Sequence, residues 1–166
     1  MRIALVICVV LGSTLCGKAA SDAARRRYRV LAALAEDLQK LRIHMTGMLM
    51  PVQCALDRSG SALLKQVAEG MRSGCSAEDA WRAFRQGALR RGGPADALAA
   101  EDLVVLDGLF GQLGQSGREE QEALLDASLQ TVCRLRDGAF RKAGEADRLY
   151  VSLGFLIGLM LALIVI

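Results

Sequence analysis

Histidine, proline and aromatic residues are scarce in this sequence of 166 residues. The chain holds one His, two Pro, one Trp, two Tyr and four Phe. So few aromatic side chains argue against a large aromatic-lined ligand pocket. The two prolines, Pro51 and Pro94, leave room for long uninterrupted helices elsewhere. Alanine, leucine and arginine, which are good helix formers, are among the most frequent residues. The composition therefore predicts an all-α protein.

The sequence also lacks the groupings that metal and catalytic sites need. His44 is the only histidine, and the five cysteines include no Cys-x-x-Cys pair, so zinc would lack its usual ligands. The odd number of scattered cysteines favours free thiols in a reducing compartment over a disulfide framework. No Ser/His/Asp or Cys/His constellation is suggested by the spacing, and no Gly-x-x-x-x-Gly-Lys phosphate loop occurs. We expect no enzyme activity, no metal or other cofactor and no small-molecule substrate.

Both ends of the chain are apolar. Residues 3–17 carry no charge, and extension to 1–20 brings them to the length of a short transmembrane anchor. Residues 149–166 are also uncharged and are predicted to form a C-terminal transmembrane segment. Basic residues lie beside both segments on the side of the middle of the chain, within 25–29 and 141–148. The positive-inside rule therefore places residues 21–148 in the cytoplasm as a helical domain, with the lipid bilayer as a partner.

A second interpretation of residues 1–20 is a cleaved signal peptide. Gly17-Lys18-Ala19 fits a small-x-small cleavage site, although the arginines that follow it resist translocation. The alternative hypothesis is an exported helical binding module with a cleaved signal peptide and a C-terminal membrane tail. A mature N-terminus at Met1 or near Ala20 would distinguish the two.

Residues 21–148 are predicted to form a compact helical bundle whose first and last helices continue into the two membrane segments. An apolar seam at steps of three and four residues predicts a helix over 21–50. The seam consists of Leu31, Leu34, Leu38, Leu41 and Met45. Further helices are predicted over 51–58, 62–72, 76–91 and 100–115, and one long helix from residue 118 onward. Ser76 and Ser116 are expected to be N-caps.

Glycine repeats occur in two of these helices. Gly108, Gly111 and Gly114 recur every three residues, and we expect them to permit close packing of helices. Gly154 and Gly158 form a Gly-x-x-x-Gly pattern in the last apolar segment, where such a pattern favours packing between transmembrane helices.

Arginines 82, 85, 90 and 91 are predicted to lie on the exposed face of helix 76–91. A solvated face is one interpretation, and a docking surface for an acidic protein or anionic lipid is the other. Nucleic acid is not expected, because no aromatic residues are interleaved with the charges. Arg82 and Arg85 lie mid-helix with no obvious acidic stripe beside them, so we expect them to bind an acidic partner surface.

Two local motifs, together with the order of the predicted membrane segments and helices, resemble those of a known family. Residues 113–121, Leu-Gly-Gln-Ser-Gly-Arg-Glu-Glu-Gln, look like a Leu-Gly-x-Ser-Asp-x-x-x-Gln turn. Residues 150–158, Tyr-Val-Ser-Leu-Gly-Phe-Leu-Ile-Gly, look like a Tyr-x-x-Leu-Gly-Phe-x-x-Gly segment. Over nearly its whole length the chain resembles stage III sporulation protein AB of endospore-forming bacteria. Gly117 replaces the family's aspartate, and residues 48–51 keep only the last proline of its Thr-Pro-Leu-Pro.

The resemblance implies a fold, a place and a function. The soluble domain would be similar to the cytoplasmic domains of the type II secretion inner-membrane platform protein. The protein would lie on the mother-cell side, in the outer forespore membrane. It would be a non-enzymatic platform or adaptor subunit of a secretion-like sporulation channel between mother cell and forespore. It would dock a secretion-type ATPase, stage III sporulation protein AA, beside other stage III sporulation membrane proteins. Ser116 and Gln121 of the turn motif become candidate partner-binding residues.

Overall fold

The computed structural model describes the backbone of residues 22–23, 25–88 and 95–165, and the side chains of these residues except 88 and 146–165. No strand occurs among them, which confirms the all-helical prediction for this part of the chain. Helix α1 (25–42) continues into a π-helical turn, Ile43–Gly47. The later helices are α2 Val52–Arg58, α3 Ala62–Met71, α4 Ala77–Ala88, α5 Ala100–Gln112 and α6 Arg118–Val165.

The chain divides into a larger unit, Arg29–Arg136, and a smaller unit formed by Met1–Tyr28 and Asp137–Ile166. In the larger unit the predicted seam of α1 is buried. Leu31, Leu34, Leu38 and Leu41 are at most 4% exposed. Met45, one turn further on, is only half-buried. The regular spacing of these leucines therefore supplies the α1 face of the hydrophobic core.

Helices α2, α3 and α4 follow the predicted breaks closely. Pro51 precedes α2, where its fixed φ suits a helix start. The predicted N-cap at Ser76 is confirmed, since its Oγ accepts a 3.1 Å hydrogen bond from the backbone N–H of Asp79. Helices α3 and α4 pack so closely that a Cβ at Gly70 would lie 3.0 Å from the Cβ of Ala80.

Helix α5 is apolar on its inner side, as predicted. The buried side chains are Leu103, Leu106, Leu109 and Phe110, followed by Leu113. The helix ends at Gln112, three residues before the predicted end. The prediction that Gly108 and Gly111 allow close helix packing is wrong within the described residues, because a Cβ at either position would meet nothing within 4 Å.

The prediction of a single long helix from residue 118 is confirmed by α6. Leu125 and Val132 are buried in the larger unit, whereas Leu135 is half-buried. Arg42 of α1 pairs with Glu122 at 3.1 Å and with Asp126 at 2.9 Å. These ion pairs connect the first and last helices of the larger unit.

The smaller unit contains an aromatic pair. The rings of Tyr28 and Phe140 lie 5.4 Å apart between centroids, and Phe140 is 62% exposed. Ala139 and Ala143 are buried in the same unit.

Among the residues whose side chains are described, no helix is both long and apolar enough to cross a membrane. The predicted anchor 1–20 lies outside the described residues. Of residues 149–166 only the helical backbone as far as Val165 is described. The packing of another transmembrane helix against Gly154 and Gly158 therefore stays a prediction, as do the boundaries of the domain 21–148.

Candidate partner-binding groove

The segment between α1 and α2 exposes apolar side chains in a strained conformation. Leu49 has φ +54°, and among the described residues it is the only non-glycine residue with positive φ. A left-handed backbone costs an L-residue about 1–2 kcal/mol. Burial does not offset this cost, because Leu49 is 67% exposed and its neighbour Met48 is 58% exposed. Leu49 follows the end of the π-helical turn, where the Met50 N–H donates a 3.0 Å hydrogen bond to the His44 oxygen, and glycine is the usual left-handed residue at such a helix end.

The turn between α5 and α6 lies against this segment. Gly114 has φ +81°, and a Cβ at this position would lie 3.0 Å from Val52 Cγ2. Glycine is therefore favoured here both by the backbone conformation and by the close approach of α2. The turn between α5 and α6 is thus held close against the start of α2.

The side-chain amide of Gln121 forms hydrogen bonds with the backbone of this turn. Its side-chain carbonyl oxygen accepts a 3.0 Å hydrogen bond from the backbone N–H of Gly114. Its amide nitrogen donates to the backbone oxygen of Gln112 at 2.9 Å and to Ser116 Oγ at 2.7 Å. Because Gln121 is only 5% exposed, its amide supports the turn and is not presented to the surface.

Ser116 does not cap α6, so that prediction is wrong. Gly117 directly precedes the helix, and its N–H donates a 2.9 Å hydrogen bond to Glu120 Oε2. The first backbone bond of the helix runs from the N–H of Gln121 to the oxygen of Gly117. The Ser116 hydroxyl instead accepts the bond from the Gln121 amide.

Together the two segments line an open groove of about 240 Å³, which we call the 49–118 groove. Its lining is mainly apolar, and it includes two methionines and one exposed arginine. The lining residues are Met45, Thr46, Leu49, Met50, Pro51, Val52, Gly114, Ser116, Arg118 and Gln121. Two of the four candidate partner-binding residues, Ser116 and Gln121, thus lie in one site. Met and Leu side chains adapt readily to apolar partners.

Arg82 and Arg85 lie on α4 and do not line this groove. The expectation that no acidic side chains accompany them is wrong. Arg82 pairs with Glu78 at 2.5 Å and Asp79 at 3.4 Å on its own helix, and Arg85 pairs with Asp107 of α5 at 2.5 Å. Their charges are therefore already compensated within the larger unit. Arg90 and Arg91 lie outside the described residues.

Other chemistry is limited in the described part of the chain. Its cysteines Cys54, Cys75 and Cys133 are free thiols, as predicted. In this part no three His, Cys, Asp or Glu side chains converge in a way that could hold a metal ion. His44 is half-buried in the π-helical turn, at the end of α1 where the sequence places it.

The sequence predicted the turn motif but not the exposure of Met48 and Leu49 beside it. A signal was present, because residues 48–51 form an apolar stretch directly after the predicted helix end, where loop residues are usually polar. The left-handed φ of Leu49 had no such signal.

The family model described as stage III sporulation protein AB matches residues 2–166 of the chain. No curated protein matches the chain. No solved structure matches it either.

Proposed function

Because the chain belongs to the stage III sporulation protein AB family and so has a sporulation role, we propose that it is a non-enzymatic, membrane-anchored platform or adaptor subunit of a secretion-like sporulation channel. Residues 1–20 and 149–166 anchor it in the outer forespore membrane. The domain 21–148 faces the mother-cell cytoplasm. It docks a secretion-type ATPase and other stage III sporulation proteins.

The observation that carries this proposal is the exposed, strained Leu49 at the 49–118 groove. A leucine in this setting contributes little to the core of its own domain, yet it presents an apolar side chain beside a fixed turn. Exposed apolar side chains beside a preformed concave surface are typical of protein interaction sites. An adaptor needs such a surface, and an enzyme would need converging titratable groups instead.

The test replaces Leu49 with a residue that tolerates the same backbone. In Leu49→Asn the apolar anchor is lost, while asparagine adopts left-handed conformations more readily than leucine. We expect unchanged or higher thermal stability of the full-length chain. We expect capture of stage III sporulation protein AA from sporulating cells to fall about tenfold or more, as for a truncated hot-spot residue. Sporulation frequency should fall with it.

Val104→Gln is the matched control. Val104 is 68% exposed, against 67% for Leu49, but it lies on α5 and does not line the groove. Its substitution should leave both capture and sporulation unchanged. Equal behaviour of the two variants would mean that the groove is not the docking surface.

A further inference from the structure

We infer that the 49–118 groove binds an apolar segment of a partner protein that carries a carboxylate, and that Arg118 selects this segment. The inference rests on the proposed adaptor function and adds the chemistry of the partner. Arg118, like Leu49, occupies a setting that is unfavourable within its own domain.

Arg118 is the first residue of α6. The N-terminus of a helix carries a partial positive charge, so a cation there is disfavoured by about 0.3–1 kcal/mol. The side chain is exposed, and no described carboxylate pairs with it. Neither a helix dipole nor an ion pair within the described residues therefore stabilises this arginine.

Four other arginines of the larger unit have an ion-pair partner. Arg42, Arg72, Arg82 and Arg85 each have a carboxylate oxygen within 3.2 Å. Arg118 has no such partner among the described residues, and it lines a mainly apolar groove. A guanidinium that lacks an internal partner beside an apolar surface is complementary to an apolar segment with an acidic residue.

Leu49 and Arg118 make the two kinds of contact with this segment, one apolar and one ionic. The apolar lining, with Met45 and Met50 as adaptable contacts, accepts the apolar side chains of the segment. The guanidinium then fixes its register through a charge-assisted hydrogen bond. This division predicts that apolar contacts set most of the affinity and that Arg118 sets the choice of partner.

The experiment uses the full-length chain in sporulating cells, with a photo-crosslinking amino acid at Met48, which is 58% exposed next to the groove. Arg118→Glu should lower the yield of the crosslinked partner about tenfold or more. The same substitution should keep or raise thermal stability, because glutamate suits a helix N-terminus. Arg118→Lys should retain most of the yield. Replacing the one carboxylate of the crosslinked segment that contacts Arg118 with lysine should restore the yield of Arg118→Glu.

Arg134→Glu is the control on the same helix. Arg134 is exposed, and within the described part of the chain its side chain bonds only the Thr131 hydroxyl, at 3.1 Å, so its reversal should leave the crosslink unchanged. A crosslink unaffected by Arg118→Glu would overturn the inference and leave the adaptor proposal standing. A product of twice the 17.8 kDa of the chain, and no other, would overturn it in favour of a second copy. Absence of any crosslink, together with normal capture by Leu49→Asn, would overturn both.

Discussion

Trp81 of α4 donates a 2.6 Å hydrogen bond from its ring nitrogen to Oδ1 of Asp107 of α5. The other oxygen of this carboxylate accepts from the guanidinium of Arg85. The Trp81 ring also stacks on Phe110, with centroids 4.9 Å apart. One half-buried carboxylate therefore holds two side chains of α4 in place and fixes the packing of α4 against α5.

The contacts of Asp107 show that Arg82 and Arg85, which look equivalent in the sequence, contribute differently to stability. Asp107→Ala removes the partner of Trp81 and of Arg85, and should lower the free energy of unfolding by about 1–3 kcal/mol. Arg82→Ala breaks only exposed pairs within one helix and should change it by about 0.5 kcal/mol or less. Chemical denaturation of the full-length chain in detergent, followed by fluorescence of its single tryptophan, measures both. Equal effects would show that the Asp107 cluster does not hold α4 and α5 together. By the same reasoning, Arg85→Glu should destabilise the fold, because it places two carboxylates together. The sequence had predicted an exposed arginine, whose reversal would leave folding almost intact.

The seam of α1 gives the second prediction. Leu38 is 1% exposed, so Leu38→Ala leaves a cavity in the core and should lower the free energy of unfolding by about 2–5 kcal/mol. Val104→Ala removes a similar apolar group from an exposed position and should have little effect. If Leu38→Ala were as stable as Val104→Ala, the seam would not form part of the core.

Periodic apolar residues explain why the helices were predictable. Leucines spaced by three and four residues can all be buried on one face of a helix, and Pro51 can begin a helix but not continue one. The same local logic located the Ser76 cap, whose partner Asp79 lies only three residues away. Contacts between residues only three or four positions apart can be predicted from their spacing in the sequence.

The parts that were missed depend on contacts between distant residues. Arg85 and Asp107 are 22 residues apart, so their pairing appears only when α4 packs on α5. The left-handed φ of Leu49 follows from the path of the chain between α1 and α2, because leucine itself disfavours it. Ser116 is an exception, because the amide that donates to its hydroxyl belongs to Gln121, only five residues away.

Gln121 provides the third prediction. Gln121→Ala leaves the Gly114 N–H without its partner, removes one of the two hydrogen bonds that the Gln112 oxygen accepts, and should lower the free energy of unfolding by about 1–3 kcal/mol. Ser116→Ala removes only one of the three side-chain bonds of Gln121 and should cost less. Hydrogen exchange at the Gly114 amide should accelerate in Gln121→Ala more than in Ser116→Ala. An unchanged exchange rate in both would mean that Gln121 does not hold the turn.

Asp37 makes stability depend on pH. Its side chain is 8% exposed, and its Oδ1 would lie 3.4 Å from a Cβ at Gly60. Burial raises the pKa of the Asp37 carboxyl above its ordinary value of 3.8, and this outweighs the Ser61 hydrogen bond and the Lys40 ammonium, which lower it. The unfolded chain therefore releases this proton at a lower pH than the folded chain does. The contribution of Asp37 to stability is full below the unfolded pKa and is lost as pH rises through the folded pKa.

Asp37→Asn removes this titration. The stability of the variant relative to the parent chain should rise as pH increases from about 4, and should level off above the folded pKa of Asp37. Denaturation curves of both proteins across this range measure the difference. A difference that stays constant with pH would show that Asp37 has the same pKa in the folded and unfolded chain.

Cys75 allows a test of which side of the membrane the domain faces. Cys54 and Cys75 are both free and exposed, so an impermeant thiol reagent should label both efficiently in lysed cells. If the arginines at residues 25–29 and the basic residues at 141–148 hold the domain in the cytoplasm, the same reagent should label neither in intact cells. The lysed sample is the control, since it shows that the thiols are reachable once the bilayer is broken. Efficient labelling of Cys75 in intact cells would instead mean that the domain is exported, and a mature N-terminus near Ala20 would then be expected.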